Sequence, residues 1–245
     1  MIQIIPVRIS AGIRPHDELD VIILEAAGQE IQNGDVLVVA HKIVSKAEGR
    51  IVGLDNVRPS SKAAKMAKVH GKDPRIMELI LRESVQILRE KDGIIVSETR
   101  HGLVCANAGI DQSNVEGDAA VLLPLDPDKS ASRLKDAVKK IARKEIAVVI
   151  TDTFGRPFRN GQTNVAIGVA GLNPIKSYIG SRDMYGRKLK VTEIAVADEI
   201  ASAAELVMGK AQGVPIAIIR GFKFEKAART SAKSLQRSRD QDLFR

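Results

Sequence analysis

Residues 145–171 read EIAVVITDTFGRPFRNGQTNVAIGVAG. This stretch contains a short apolar run rich in β-branched residues, 146–150, which predicts a buried strand. The strand is followed by Thr151, Asp152 and Thr153, a carboxylate between two hydroxyls. Open α/β sheets bind ligands at the carboxyl ends of their strands. The stretch therefore predicts an α/β protein whose site lies where this strand ends.

The residues that follow, GRPFRNG at 155–161, predict a turn because Gly, Pro and Asn favour turn conformations. The turn carries the guanidinium groups of Arg156 and Arg159. Hard oxygen atoms next to forked cationic groups suit a divalent metal together with a phosphate or carboxylate substrate. We interpret this region as the chemical centre of the protein.

Length and composition exclude several classes of protein. A chain of 245 residues with 44% hydrophobic and 28% charged residues describes one large globular domain or two interlocked ones. Aromatic residues make up 3%, and there is no Trp, which argues against a platform that stacks single-stranded nucleic acid. The single cysteine, Cys105, excludes an internal disulfide and a cysteine-rich zinc site, and favours a reducing compartment.

No run approaches the ~18 apolar residues that suggest a membrane span, and the N-terminal residues resemble a strand more than a signal peptide. We therefore expect a cytoplasmic protein with no membrane partner. The net charge is +8, and residues 220–245 carry eight Lys or Arg against three acids, an excess of five. A positive balance favours anionic partners such as nucleotides, polyanionic cofactors or nucleic acid. The alternative is a solvated basic helix.

Hydrophobic periodicity gives a coarse order of elements. Strands are predicted at 1–9, 36–40, 94–97, 103–106, 119–125 and 215–219. Helices are predicted at 18–27 with Asp17 as its cap, 74–91, 127–144, 192–208 and in the basic tail.

Three short segments outside the centre have polar or basic patterns that suit a binding site. Lys42, Lys46 and Arg50 are spaced by four and would point the same way on a helix, either to bind phosphate or to face solvent. Residues 111–114, Asp-Gln-Ser-Asn, are either ligands or turn formers. The glycines of 209–213 form either a phosphate-binding nest or a helix C-cap, and the residues alone favour the cap.

Several common nucleotide and metal motifs are absent. The sequence has no P-loop GxxxxGK[ST], no Rossmann GxGxxG, no HExxH and no CxxC. Its four histidines are scattered. Because carboxylates are the only clustered ligands, Mg²⁺ or Mn²⁺ is favoured over zinc.

Six segments in order carry a resemblance to a known family: IPVRISAGIRPHDEL, GDVLVVAHKIVSKAEGR, GLVCANAGIDQSNV, VVITDTFGRPFRNGQTNVAIGVAG, SRDMYGRKLKVTEIAVADEIASAAELVMGKA and PIAIIRGF. They cover almost the whole chain, and the phrases ITDTFGRPFRNGQ and KIVSKAEGR are specific. On these motifs the chain resembles the coenzyme F420-0:γ-glutamyl ligase family.

The resemblance implies a GTP-dependent ligase that attaches L-glutamate to the lactyl carboxylate of F420-0, and then a second glutamate to the γ-carboxylate of the first. It implies divalent metal ions, Mn²⁺ or Mg²⁺, two per site, and K⁺ as a further cation. The implied fold is α/β with mixed α+β character, two-lobed, and assembled as an interwoven homodimer. We expect one unit over 1–245 without the extra C-terminal domain of some relatives, and no nucleic-acid partner.

The resemblance also implies site residues. Its metal ligands fall on Asp111, Asp152, Thr153 and Gln212. Its nucleotide contacts fall on Ser10, Ala11, Gly12, Ile13, His41, Lys46, Asn114, Met208, Gly209, Lys210, Ala211, Gln212 and Gly213. At position 41 relatives carry a small hydroxyl residue where this chain has His.

Catalytic roles follow for three residues by hypothesis. Lys46 adds a point charge at the phosphates, Arg156 together with Arg159 grips substrate carboxylates, and either Asp152 or a phosphate oxygen accepts the amine proton. Two other functions stay open: an amide ligase acting on another carboxylated cofactor, and a basic nucleic-acid-binding module.

Overall fold

The structure is a computed structural model that describes residues 1–10 and 12–243. Its α-helices are α1 (Leu19–Ala27), α2 (His41–Ala47), α3 (Ser61–His70), α4 (Pro74–Glu83), α5 (Pro127–Ile141) and α6 (Val196–Met208). Its strands are β1 (Gln3–Val7), β2 (Val36–Ala40), β3 (Ile51–Gly53), β4 (Ser84–Lys91), β5 (Ile94–Thr99), β6 (Val104–Ala106), β7 (Ala119–Val121), β8 (Ala147–Arg156), β9 (Arg159–Leu172), β10 (Lys176–Ser177), β11 (Glu193–Ile194), β12 (Ile216–Arg220) and β13 (Lys226–Ala227).

The central element is a six-stranded mixed sheet in the order β1-β12-β2-β8-β9-β13. Strands β2 and β8 are parallel, and the other neighbours are antiparallel. Residues 147–150 of β8 are fully buried because α1 and α5 cover one face of the sheet and α6 covers the other. Alanines 197, 201 and 204 let α6 pack closely. The predicted α/β class with mixed α and β character is confirmed.

Strand β8 continues past the apolar run to Arg156 and forms a long hairpin with β9. The turn predicted over 155–161 is present but narrower: the chain reverses at Pro157 and Phe158, and the flanking residues belong to the two strands. The pairing shifts by one residue: Ile150 opposes Gly168, whereas Thr151 opposes Ala166. This bulge sets Thr153 opposite Asn164 and so decides which side chains meet at the site.

A second group of elements packs around its own core. Helices α3 and α4, strands β3 and β7, and the sheet β4-β5-β6 enclose Leu54, Met77, Ile80 and Leu122. A two-lobed arrangement, an interwoven dimer and a single unit without a further domain remain predictions. In the described part of the chain, no helix is long and apolar enough to cross a membrane.

The predicted helix over 74–91 is correct only in its first half. Helix α4 ends at Glu83, and 84–91 form β4, which pairs antiparallel with β5. The connecting residues Asp92 and Gly93 have φ of +48° and +80°. Positive φ at both central residues is typical of a two-residue hairpin turn, so this pair reverses the chain rather than capping a helix.

Two other predictions are also wrong. Asp17 does not cap α1, because its carboxylate accepts the amide of Arg14, and the N-cap position is Glu18. The basic tail is not a helix over its described residues. It contains β13 and two short 3-10 turns at Ala232–Leu235 and Arg239–Gln241.

Candidate functional site

A cavity of about 640 Å³ opens at one edge of the central sheet. The directions of the strands explain its position. The carboxyl ends of β1, β2 and β8 reach this edge, and so do the amino ends of β9 and β12. The connection between β6 and β7 supplies the opposite wall.

Most of the predicted site residues line this one cavity, although they come from five distant segments. They are Gly12, Ile13, His41, Lys46, Asp111, Asn114, Asp152, Thr153, Met208, Gly209, Lys210, Ala211, Gln212 and Gly213. Ser10 does not line the cavity, although its neighbour Ile9 does. Ala11 lies outside the described residues.

Arg156 lies away from these residues. It is exposed near the end of the β8–β9 hairpin, where its guanidinium donates to the carbonyl of Asn160 at 2.6 Å. Its predicted role in gripping a carboxylate therefore depends on a substrate that extends beyond the cavity.

Asp152 and His41 form a largely buried polar pair in the cavity wall. His41 Nε2 lies 3.2 Å from Asp152 Oδ1, and His41 Nδ1 lies 3.4 Å from Ser45 Oγ. His41 is 3% exposed. The backbone amide of Thr153 donates to Asp152 Oδ1 at 2.6 Å. The contacts from His41 and the Thr153 amide both use Oδ1, and together they hold the Asp152 carboxylate in place.

Asp111 lies on the other wall and is paired with Lys42. Lys42 Nζ lies 2.7 Å from Asp111 Oδ2 and donates to Ser113 Oγ at 2.5 Å, while the Ser113 amide donates to Asp111 Oδ1 at 2.6 Å. Burial acts to raise the pKa of Asp111, but these hydrogen bonds and the Lys42 charge outweigh it, and the pKa is lowered. Asp111 is thus an anion at neutral pH.

Lys46 is the second cation of α2 at this wall. Its Nζ donates to the carbonyl oxygen of Asn114 at 2.6 Å. Burial, followed by the Lys42 charge, lowers its pKa, and Glu116 acts in the opposite direction. Of the three basic residues predicted to point together, Arg50 differs: it bonds Glu83 and the Leu123 carbonyl instead.

Residues 209–213 serve both as a helix end and as a cavity wall. The Gly209 amide donates to the Glu205 carbonyl and closes α6, with φ of +57° at Gly209. The Arg8 guanidinium donates to the main-chain carbonyl oxygen of Gln212 at 2.6 Å, which connects this loop to the chain that follows β1. The C-cap interpretation holds, and it does not exclude ligand contact, because the same loop lines the cavity.

The sequence did not single out two amide residues of the wall, Gln162 and Asn164. Asn164 Oδ1 accepts hydrogen bonds from Thr153 Oγ1 at 2.7 Å and from Lys210 Nζ at 3.1 Å. The signal that could have shown them is the polar triplet Gln-Thr-Asn at 162–164, which directly precedes the apolar half of β9.

The oxygen donors of the cavity fit a hard divalent cation in their chemistry. Asp111, Asp152, Thr153 and Gln212 all offer oxygen atoms, which Mg²⁺ and Mn²⁺ prefer. Among the described residues no group of three or more His, Cys, Asp or Glu is arranged to hold a metal ion. Mg²⁺ commonly uses only one or two carboxylates and completes its shell with substrate phosphates and water.

The cavity wall thus carries two carboxylates, Asp111 and Asp152, which suit cations, and three lysines, Lys42, Lys46 and Lys210, which suit anions. Residues 8–221 match the sequence model of the family F420-0:Gamma-glutamyl ligase.

Relatives with this description cover nearly the whole chain. The coenzyme F420:L-glutamate ligase of Methanothermobacter thermautotrophicus is 50% identical over 224 residues, 91% of this chain and 89% of that protein. The ligase of Methanopyrus kandleri is 45% identical over 248 residues, 100% of this chain and 98% of that protein. The ligase of Methanocaldococcus jannaschii is 41% identical over 216 residues, 88% of this chain and 86% of that protein. The chain therefore belongs to the F420-0:gamma-glutamyl ligase family.

Proposed function

We propose that this protein is a GTP-dependent ligase that joins L-glutamate to the lactyl carboxylate of coenzyme F420-0 and then adds a second, γ-linked glutamate. GDP and phosphate are the other products. Family membership supports the acceptor and the amino acid. The choice of GTP comes from the resemblance of the motifs, since the chain has no NKxD sequence that would read guanine.

One observation carries the proposal: a single cavity gathers two carboxylates, Asp111 and Asp152, with three lysine side chains, Lys42, Lys46 and Lys210. A carboxylate does not condense with an amine in water unless one of its oxygens becomes a leaving group. Such a site must hold a triphosphate next to a second anion, the carboxylate to be activated. Fixed cations offset that repulsion.

In the first step, an oxygen of the F420-0 carboxylate attacks the γ-phosphorus of GTP. The bond from this phosphorus to the β,γ-bridging oxygen breaks, and GDP leaves with the electron pair. The attacking carboxylate is already ionised, so this step needs no general base. Lys42 and Lys46 lie on the same side of α2 and would hold the phosphoryl oxygens as charge moves between them.

In the second step, the glutamate amine attacks the carbonyl carbon of the acyl phosphate, and phosphate leaves with its carbon–oxygen bond electrons. The amine nitrogen must lose a proton, which Asp152 or a phosphate oxygen would accept. Divalent cations held by Asp111, Asp152, Thr153 and Gln212 would neutralise charge on the β- and γ-phosphoryl oxygens.

The proposal is tested by incubating the protein with F420-0, L-glutamate, Mn²⁺ and either GTP or ATP, and by measuring product masses. We expect F420-0 to gain one and then two glutamyl residues with GTP, in step with GDP release. Glutamine in place of glutamate serves as a control for the amino acid.

Two outcomes would replace the proposal. If another carboxylated cofactor is extended and F420-0 is not, the protein is an amide ligase with a different acceptor. If no carboxylate is extended and GTP is not consumed, the ligase assignment is wrong for this chain.

A further inference from the structure

Asn164 is a buried amide that connects two predicted ligand-binding residues of the cavity. It lies on β9 directly opposite Thr153 of β8, and it is 4% exposed. Its Oδ1 accepts from Thr153 Oγ1 at 2.7 Å and from Lys210 Nζ at 3.1 Å. Lys210 Nζ also donates to Thr153 Oγ1 at 2.6 Å, which closes a three-membered ring of hydrogen bonds.

The donors and acceptors of this ring allow one proton arrangement. A lysine ammonium has only donors, so the Asn164 atom that it contacts is the carbonyl oxygen. This oxygen has no proton, so the Thr153 hydroxyl must be the donor to it. Because Lys210 occupies one Thr153 lone pair, the hydroxyl has a single lone pair left for any further partner. Thr153 can therefore meet a cation or a donor, and it has no proton left to donate.

Asn164 is itself held from behind by α6. Ser202 Oγ donates to the main-chain carbonyl oxygen of Asn164 at 2.8 Å and lies 2.9 Å from Thr163 Oγ1. The amide of Ala166 donates to Asp198 Oδ1 at 2.9 Å. The bulge in β9 also sets the position of Asn164, because without the shift of pairing after Ile150 a different residue would oppose Thr153. Thr153 and Asn164 of the ring thus lie on paired strands, while Lys210 comes from the loop after α6.

We propose that Asn164 is a positioning residue of the site. It turns the Thr153 proton away from the ligand and anchors the Lys210 ammonium beside the Thr153 lone pair. A cation and an oxyanion can then bind side by side at this wall. The inference rests on the proposed function in taking that ligand to be a nucleoside triphosphate with its divalent cation.

The test compares Asn164→Ala with Asn164→Asp and with Asn173→Ala, a control that removes the same amide group outside the cavity. Water-proton relaxation measures the binding of Mn²⁺ together with a non-hydrolysable GTP analogue. Thermal melting of each variant is measured in parallel to check its stability. We expect Asn164→Ala to weaken binding roughly tenfold, as loss of an outer partner of a metal ligand does. Asn164→Asp keeps the acceptor oxygen and should stay within about threefold of the unmodified protein.

The double variant Asn164→Ala with Lys210→Ala shows whether Asn164 acts through Lys210. If it does, the loss of affinity in the double variant is smaller than the product of the losses in the two single variants, because the residues are coupled. The proposal is overturned if Asn164→Ala binds as tightly as Asn173→Ala, if Asn164→Asp is as weak as Asn164→Ala, or if the double variant loses the full product.

Binding and turnover separate this inference from the proposed function. If the unmodified protein binds Mn²⁺ with the analogue but does not ligate glutamate, the proposed function fails, and the pattern of the variants still decides the role of Asn164. If it ligates glutamate and the binding pattern is absent, only the role of Asn164 fails.

Discussion

Asp152 lies at the carboxyl end of the buried run of β8, with His41 at 3.2 Å and the Thr153 amide at 2.6 Å from its Oδ1. We expect Asp152→Ala to lower F420-0-dependent GDP release by at least about 100-fold, because losing this proposed metal ligand should reduce activity no less than losing an outer partner of one. Circular dichroism should show that the variant stays folded.

The matched control is Asp136→Ala on α5, since this carboxylate is 66% exposed and lies 3.5 Å from Lys135, away from the cavity. Its turnover should equal that of the unmodified protein. Near-normal GDP release by Asp152→Ala would remove Asp152 from the proposed metal site.

Cys105 gives a prediction based on pKa. Burial first, and then the negative charge of Asp152, raises the pKa of its thiol to about 12. Only the thiolate is nucleophilic, and an ordinary thiol has a pKa near 8.5. At pH 8 we therefore expect iodoacetamide to alkylate Cys105 more than about 100-fold more slowly in the folded protein than in denaturant.

The same shift has a defined sign for stability. The folded state holds the thiol proton more tightly, so the unfolded state loses its proton first as the pH rises above about 8.5. The contribution of Cys105 to the free energy of unfolding therefore decreases as the pH rises above about 8.5. Mass spectrometry after timed alkylation measures the reactivity, and equal rates in the two states would contradict the buried, protonated thiol.

At the scale of elements, the reversal at Asp92 and Gly93 separates β4 from β5. Gly93 has φ of +80°, and a β-carbon there would lie 3.1 Å from the His70 carbonyl oxygen. We expect Gly93→Ala to lower the free energy of unfolding by about 1–3 kcal/mol, the usual cost of a strained backbone conformation. Urea denaturation measures it.

Gly155→Ala is the control for this substitution. Gly155 also lies in a hairpin, but its φ is not in the left-handed region, and a β-carbon there would meet no atom within 4 Å. Its stability should change little. An equal loss in both variants would mean that backbone strain at Gly93 is not the cause.

The same hairpin shows where sequence reasoning reached its limit. In 84–91 the apolar residues Val85, Ile87 and Leu88 suit either a helix face or a strand, and local periodicity does not choose between them. Pairing with β5 across the two-residue turn makes the choice, so the Asp-Gly pair at 92–93 is a hairpin signal rather than a helix end. The helix predicted for the basic tail is wrong for a different reason: its described residues form only short 3-10 turns among themselves and bond further to α5 and to the β5–β6 region.

The site itself was more predictable than these elements. The apolar run of β8 predicted the strand, and the motifs predicted Asp111, Asp152 and the loop 208–213, all of which line one cavity. Asn164 was missed because its role depends on the bulge that sets it opposite Thr153. Pairing register between β8 and β9 cannot be read from either strand alone.

At the scale of the whole molecule, the cavity and the tail both join the two packed groups. Asp111 and Asn114 follow β6 in the second group, while the other walls belong to the central sheet. On the tail, Ser231 and Ala232 bond Asp128 of α5, and Gln236 donates to the His101 carbonyl at 3.2 Å. A ligand in the cavity would thus bind both groups and stabilise their arrangement.

One exposed segment of the chain is suited to contact a second copy. Residues 174–195 form an arm that contains β10 and β11, and it exposes large apolar side chains: Ile179 at 53%, Met184 at 88%, Tyr185 at 82% and Val191 at 86%. Several large apolar side chains exposed within one short segment are typical of an interaction surface. We expect a second copy of the chain to cover the arm in the predicted homodimer.

Sedimentation of the unmodified protein should therefore give twice the chain mass of 26.5 kDa. Met184→Lys combined with Val191→Lys should shift it toward the monomer, because each dimer would then bury four added charges without partners. The control is Val69→Lys on α3, which is also exposed, at 78%, but lies outside the arm. A monomeric unmodified protein at micromolar concentration, or equal dissociation by the control, would show that the arm is not the dimer contact.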